Sequence, residues 1–558
     1  MTGNEREGEV PGRSPTAHEF VPLAERIIDT LLDADPVLAN DVGDHRADHR
    51  LPDLSSDGVA RQVAALREAS QALARIDPES LTPQQRVDHA LLTGLVERRL
   101  FELRELRAHE WNPLIHNPGR LFYGLLVRDG TGALSAAQRL EALIARLEAL
   151  PDALATAKAV LTDPPRIHLE TAVGQFAGVA ALIRSEIPAL AERVPDRAAR
   201  AKTAQDKALA ALDEFGNWLS RRLSAQGEGR SPRLGRALWE ARLAHTLDSE
   251  LSATELLDRA WANLERVTEQ IRKVAADLTG GRPDDETVRR ALDQAAADRP
   301  DDTTIVQRAK DTLDEATRFV VEHDLVSLVD DPCEIIVMPE FARGVSVAYC
   351  DPPGPLETAA VPTFYAIAPT PADWSAERKV SFYREYNNQM VRNLTVHEAM
   401  PGHFLQLAHS RRYAGDTRVR AVCRSGSFIE GWAVYVEELM VDHGFGGLDV
   451  RLQQLKMQLR MTLNAILDHL VHCDDLSEAD GMRLLTERGF QEDGEAAGKW
   501  RRALLTANQL STYFVGYTEV SAIAASRPDS ATVRGWHDAI LSHGSPSPRH
   551  LKTLLAVT

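Results

Sequence analysis

Cysteine is scarce. Cys333, Cys350, Cys423 and Cys473 are the four in 558 residues, and they are too widely spaced for a disulfide framework. With no CxxC pair among them, they do not suggest a thiolate zinc site either. Long apolar runs are also missing, since no stretch of about 18 apolar residues is available to cross a bilayer as a helix. The opening residues, MTGNEREGEVPGRSPTAHEF, mix charge with glycine and proline and lack the apolar core of a signal peptide, so a cytoplasmic protein is expected. Basic residues are in the minority, with 64 Lys and Arg against 82 Asp and Glu. The resulting net charge of −18 repels nucleic acid and anionic membranes alike, and neither is expected as a partner. Repeats and low-complexity tracts are absent. What remains is an ordinary globular composition, 44% hydrophobic and 26% charged, which leaves the oligomeric state open.

Helical periodicity dominates what is there. It begins near Phe20, resumes in VARQVAALREASQALARI and QQRVDHALLTGLVERRLFELREL, and runs again from Ser135 to about Ser224. Residues 1–17 read as a disordered tail and 18–558 as one large helical domain. The exposed linker GEGRSPR, residues 227–233, divides it into a possible helical half over 18–230 and a second half over 231–558. Ser252 and Glu255 in SATEL form a helix-start signal. The polar stretch NDVGDHRADHRLPDLS contains Asp44 and His45, read as a solvated loop, and EWNPLIHNPGRLFYGLL, residues 110–126, reads as an irregular apolar segment that packs. Near residues 333–368, CEIIVMP, VSVAYC and VPTFYAIAP are short β-rich runs, enough for a small sheet whose edge could take an extended peptide as an added strand.

Chemistry concentrates at His397-Glu398-Ala399-Met400-Pro401-Gly402-His403, followed by Glu430-Gly431-Trp432-Ala433. Two imidazoles and a carboxylate can bind one metal ion and leave a position open, with Glu398 beside them as a base. The spacing is unusual for such a motif. On an unbroken helix, residues six apart lie about 120° apart around the axis, too far for easy joint ligation. Pro401-Gly402 suggests a remedy, because proline breaks the hydrogen-bond ladder and glycine tolerates a bulge, so the pair can loop out and return His403 to the face of His397. A helix that simply ends at Met400 is the competing reading.

Phe382, Tyr386, Met390 and Leu394, four residues apart, predict one helix with an apolar stripe leading into His397. A second helix around SFIEGWAVYVEELM carries Glu430 and Glu437 two turns apart, as a ligand and a supporting residue or as a ligand and a surface charge. A long helix, RLQQLKMQLRMTLNAILDHLVHC, bears Asp468, His469 and His472, which could orient a ligand or be capped or solvated. Arg343, Arg424 and Arg502 are candidates for a substrate carboxylate because guanidinium pairs bidentately with it.

Assembled in this way, the chain resembles a bacterial family known as domain of unknown function 885, grouped with zinc metallopeptidases of the glutamate-ligand type (HExxPGH). The resemblance rests on YNNQMVRNLTVHEAMPGHFLQ, GSFIEGWAVYVEELM, VGDHRADHRLPDLS and WHDAILSHGSPSPRHL, and so covers most of the chain. It implies a mainly α, metallopeptidase-like fold around a deep cleft, with a small β-sheet near the metal helix. It further implies His397, His403 and Glu430 as ligands of one Zn2+ or other divalent ion, Glu398 as the base, and Tyr513 as a stabiliser of transition-state charge. The family's serine-tyrosine-x-x-glycine stretch reads Ser511-Thr512-Tyr513-Phe514-Val515-Gly516 here, with the serine displaced by one. Pro355–Val361 is less glycine-rich than the family's cleft loop, which implies a different substrate preference.

The function expected is metal-assisted hydrolysis of an amide, most simply in short peptides. A small-molecule amide hydrolase or metal-dependent tailoring enzyme is one alternative, and a non-catalytic metal- or peptide-binding relative another. The intact Glu398 argues against the last, since a pure binding site needs no base.

Overall fold

The computed structural model describes residues 17–127, 133–225, 227–338, 347–372 and 374–557. The expected tail at 1–17 falls almost wholly outside them, and so does Arg343. The chain is mainly α with one small sheet, as the periodicity predicts. Local start signals act as read: Ser252 Oγ accepts the Glu255 amide at 3.2 Å while the Glu255 carboxylate accepts the Ser252 amide at 3.0 Å, opening the helix Ala253–Thr279. Capping boxes at Thr82 and Ser135 open Pro83–Phe101 and Ala136–Val160 in the same manner.

In the N-terminal part, the long helices Ala136–Val160, Arg166–Glu192 and Ala198–Ala225 enclose one apolar core, including Phe176 and Phe215. The segment at 110–126 is more ordered than expected. Trp111 is buried, and the chain forms the short helix Gly119–Val127, whose residues Phe122 and Leu125 join that core. Farther on, Gly447–Cys473 runs through the interior against Ala253–Thr279, where Leu459, Leu463 and Ile466 are fully buried. At about 1.5–3 kcal/mol for each large apolar side chain removed from water, such helices are held by packing more than by propensity.

The three β-rich runs pair as β1 (Cys333–Val337), β2 (Ala348–Asp351) and β3 (Thr363–Ile367) in the order β1-β3-β2. β3 is central and wholly buried, parallel to β1 and antiparallel to β2. Its Tyr365 hydroxyl lies 3.2 Å from Thr395 Oγ1, which ties the sheet to the helix carrying His397.

The stretch read as a solvated loop is a structural joint. Asp44 caps a single helical turn over His45–Ala47. His45 bridges Asp48 at 2.8 Å and Glu357 at 2.9 Å, while the Leu356 amide bonds to the Val42 carbonyl at 2.8 Å. Segment 355–361 is thereby anchored to the N-terminal helices. The Asp48 hydrogen bond, opposed by partial burial and reinforced by Glu357, raises His45 to about 9. Since this lies above the unfolded value, the joint stabilises the fold fully below about pH 6.5 and loses that contribution as pH rises through about 9. His45→Gln should therefore lower the melting temperature at pH 6, with the difference from wild type vanishing above about pH 9.

Candidate metal centre

The apolar stripe packs into the core as expected, but on two helices. Ala376–Glu385 ends at Tyr386, and Asn387 starts Asn388–Glu398 by accepting the amides of Gln389 and Met390 at 3.1 Å each. Asparagine can offer this local alternative to a continuing helix. Tyr386, Met390 and Leu394 remain buried together, because both helices face the same core.

Between the histidines, too, one helix gives way to another. Asn388–Glu398 stops, and His403–Ser410 begins afresh after a loop at Met400-Pro401-Gly402 containing a cis Met400–Pro401 peptide bond. The Ala399 and Met400 amides both reach the Thr395 carbonyl, at 2.9 and 3.2 Å, and the Gly402 amide folds back on Val396 O at 3.0 Å. Gly402 lies so close that an added Cβ would fall 1.9 Å from His397 O. Trp432 Nε1 donates to Pro401 O at 2.9 Å and holds the loop against the Glu430 helix, Gly426–Asp442. The loop thus does what a bulge was expected to do, setting the two imidazole rings 4.6 Å apart and nearly perpendicular.

Glu430 faces both rings. Its Oε2 lies 3.6 Å from His397 Nε2 and 3.4 Å from His403 Nε2, and this buried oxygen has no hydrogen-bond partner among the described residues. Two ligands bound at about 2.0–2.1 Å to one tetrahedral ion stand about 3.3–3.4 Å apart, close to the two separations between Glu430 and the imidazoles. All three lie within 4.8 Å of one another. Burial opposes ionisation of Glu430, yet the two imidazoles hold its carboxyl well below the ordinary range.

Glu437 is not a surface charge. It is 1% exposed, and its carboxylate takes His397 Nδ1 at 2.7 Å and Asn393 Nδ2 at 2.6 Å. With Nδ1–H donated to Glu437, the free lone pair of His397 sits on Nε2, the atom facing Glu430. Glu437→Gln removes the charge that fixes this tautomer and should weaken metal binding about 10–100-fold in a competition titration. Asn393, one turn before His397, was missed by sequence reasoning, although its i, i+4 spacing places it on the histidine's face.

Glu398 is 8% exposed and projects to another side of the same helix end. In the β2–β3 register, Ala348 and Cys350 are the β2 residues whose peptide groups point away from β3. From that side the Cys350 amide donates to the Glu398 carboxylate. Burial pushes that carboxyl above its ordinary value, against the pull of His397 and His403.

Tyr513 reaches the site through a glycine crossing. Its helix, Ser511–Ala525, packs on the Glu430 helix so closely that a Cβ at Gly516 would fall 1.9 Å from Ser427 O, and one at Gly431 2.3 Å from the Gly516 carbonyl carbon. Gly431 adjoins Glu430, and Gly516 is about one turn from Tyr513, so the crossing brings phenol and carboxylate together. Burial and the charge of Glu430 raise the Tyr513 phenol, against Arg502, and keep it a protonated donor at neutral pH.

Asp468 and His472 work elsewhere. Asp468 accepts from Trp239 Nε1, the Asn508 amide and Ser511 Oγ, the last at 2.7 Å. His472 Nε2 reaches the carbonyls of Ala503 and Thr506, each at 3.0 Å. Both pin the connection that leads into the Tyr513 helix, and the displaced serine is one of its anchors. His469 lies beside Arg236 and Asp474, and Arg424 donates to the Asp41 carbonyl at 3.4 Å. Arg502 stands beside Tyr513, its Nη2 3.4 Å from the phenol oxygen.

A family model described as a bacterial protein of unknown function (DUF885) matches residues 36–555. No curated protein matches the chain. Among solved structures, one described as "a putative lipoprotein of unknown function from Shewanella oneidensis" is similar with a TM-score of 0.80 and 27% identity, over 96% of this chain and 99% of the other. A "putative lipoprotein from Colwellia psychrerythraea" shares the fold with a TM-score of 0.79 and 16% identity, over 97% and 98%. These descriptions overturn the expectation of a cytoplasmic protein, since lipoproteins are lipid-anchored at a membrane. That expectation rested on the lack of a signal-peptide-like apolar core in the opening residues and of a long apolar run. No described helix is long and apolar enough to cross a membrane.

Proposed function

The chain belongs to the bacterial family DUF885, and from that starting point we propose that it is a metal-dependent hydrolase, most simply a zinc enzyme, that cleaves amide bonds of short peptides. One observation carries the reading: the ligand atoms of His397, His403 and Glu430 converge within 4.8 Å of one another, and the Glu430 oxygen between the imidazoles has no hydrogen-bond partner among the described residues. A divalent ion held by His397, His403 and Glu430 supplies Lewis acidity to a carbonyl and to water.

The protein's own groups divide the remaining work. Glu437 and Asn393 hold His397 in the orientation and tautomer that ligation needs. The Glu398 carboxylate takes a proton from the attacking water and returns it to the leaving nitrogen. The Tyr513 O–H donates to the oxygen on which charge develops, a role worth about 3–4 kcal/mol in comparable sites. With the side chains of His397 and His403 10% exposed and that of Glu430 20%, the site is nearly closed to bulk water, which strengthens each of these interactions and favours small substrates.

A mixture of short peptides incubated with the protein and read by mass spectrometry tests the proposal. Products should form with the untreated protein, disappear on chelation and return with added zinc. Cleavage indifferent to chelation would overturn it. Binding without cleavage in the metal-loaded protein would move the reading to a small-molecule amide or to a non-catalytic relative.

A further inference from the structure

The environment of Arg502 says what kind of substrate the site takes. Arg502 lies in the helix Asp493–Leu505, and its Nη2 donates to Gln509 Oε1 at 2.7 Å and lies 3.4 Å from the Tyr513 hydroxyl. Gln509 Nε2 in turn lies 3.4 Å from the same hydroxyl. The charge of Glu430 also acts on the Tyr513 phenol, so the hydroxyl beside Arg502 lies near the candidate metal ligands.

The charges around it do not balance. Lys499, one helical turn earlier, is 5% exposed. Nearby, two carboxylates are already engaged, the buried Glu385 by Lys456 at 2.8 Å and the partly buried Glu495 by Arg460 and the Tyr386 hydroxyl. Among the described residues, neither Arg502 nor Lys499 has a carboxylate within ion-pair distance. Burial, together with the charges of Arg460 and Arg502, holds the Lys499 ammonium well below the ordinary lysine range, as expected where positive charge is in excess. Lys499 is buried while Arg502 is only partly so, and a partly accessible guanidinium with no carboxylate on it offers a planar fork that fits a substrate carboxylate.

We propose that Arg502 is a specificity-determining residue that binds a substrate carboxylate, so that the site takes short peptides, or peptide-like amides, with a free carboxylate close to the bond cleaved. With the Tyr513 hydroxyl serving the reacting carbonyl and Arg502 Nη2 3.4 Å from that hydroxyl, a carboxylate on the guanidinium falls within roughly one or two extended residues, about 3.3–3.6 Å each, of the scissile amide. The enzyme is then exo-acting at the C-terminal end. This inference deepens the hydrolase reading and rests on it for turnover, but carboxylate binding can be measured separately.

The test uses the full-length, zinc-loaded protein carrying Glu398→Gln, which is expected to bind without turning over. Its probes are an acetylated trialanine peptide as free acid and as C-terminal amide, compared by calorimetry. The acid should bind about 30- to 100-fold more tightly than the amide, as a charge-assisted bidentate pair implies. Adding Arg502→Gln should bring the ratio to near one, while Arg502→Lys, which keeps the charge but not the fork, should give an intermediate value. Equal binding of acid and amide, or a preference that survives Arg502→Gln in a protein with an unchanged melting temperature, overturns the proposal. An Arg502-dependent preference in a protein whose wild type cleaves neither peptide would overturn the hydrolase reading and uphold the carboxylate site.

Discussion

Replacing Glu398 with glutamine is expected to leave bound metal unchanged and to lower kcat/KM by about 10²–10⁴-fold, the largest effect on activity among residues that are not ligands. The two halves of this result have separate causes. Metal should be retained because the proposed ligand atoms are His397 Nε2, His403 Nε2 and a Glu430 oxygen, and the amide matches the carboxylate in shape, so helix end and loop are undisturbed. Turnover falls because an amide cannot accept and return a proton. No other described carboxylate is placed to substitute: Glu430 faces the imidazoles and Glu437 is committed to His397 and Asn393. Metal content by elemental analysis and kcat/KM on the same preparation check both halves, and full activity in the variant would remove the proposed base.

The second large effect is expected at a residue that touches neither metal nor substrate. Gly516→Ala places a methyl 1.9 Å from Ser427 O, a separation no packed structure tolerates, so the two helices must part. Overpacking of this kind costs about 1–3 kcal/mol and sometimes more, and a rigid backbone carbonyl as the obstacle argues for the upper end. Parting the helices also withdraws Tyr513 from Glu430, so activity at a temperature where the variant remains folded should fall about 10²-fold or more, with the loss in kcat. Thermal denaturation alongside kinetics separates the two consequences. A variant as stable and active as wild type would show that the crossing does not position Tyr513.

The clustering of the candidate ligands was legible because most of it is local in sequence. His397, Glu398 and His403 lie within seven residues, Pro401-Gly402 announced a break in the helix, and the apolar stripe indicated how His397 would be buried. The form of that break was less legible. A bulge within one helix and a stop followed by a fresh start have the same residue signature, and the outcome turned on the Gly402 amide finding Val396 O. The Asn387 boundary was hidden by a stripe that continues across it, since both helices pack on one core. Contacts between distant segments were the hardest to foresee. Gly431 and Gly516 each looked like an isolated glycine in a helix, and only their meeting explains both. Asp468 and His472 could be read from the sequence as supports for a ligand or as capped or solvated groups; they are buried and serve the loop before Tyr513. Burial marks such groups as engaged without saying with what.

Metal analysis of the purified protein tests the central claim most directly, with His403→Ala as the control. Wild type should carry one equivalent of zinc or another divalent ion per chain and the variant markedly less at the same free-metal concentration. No metal in the wild type, even after incubation with zinc, or an equal content in the variant, would contradict the assignment of His397, His403 and Glu430 as a metal centre.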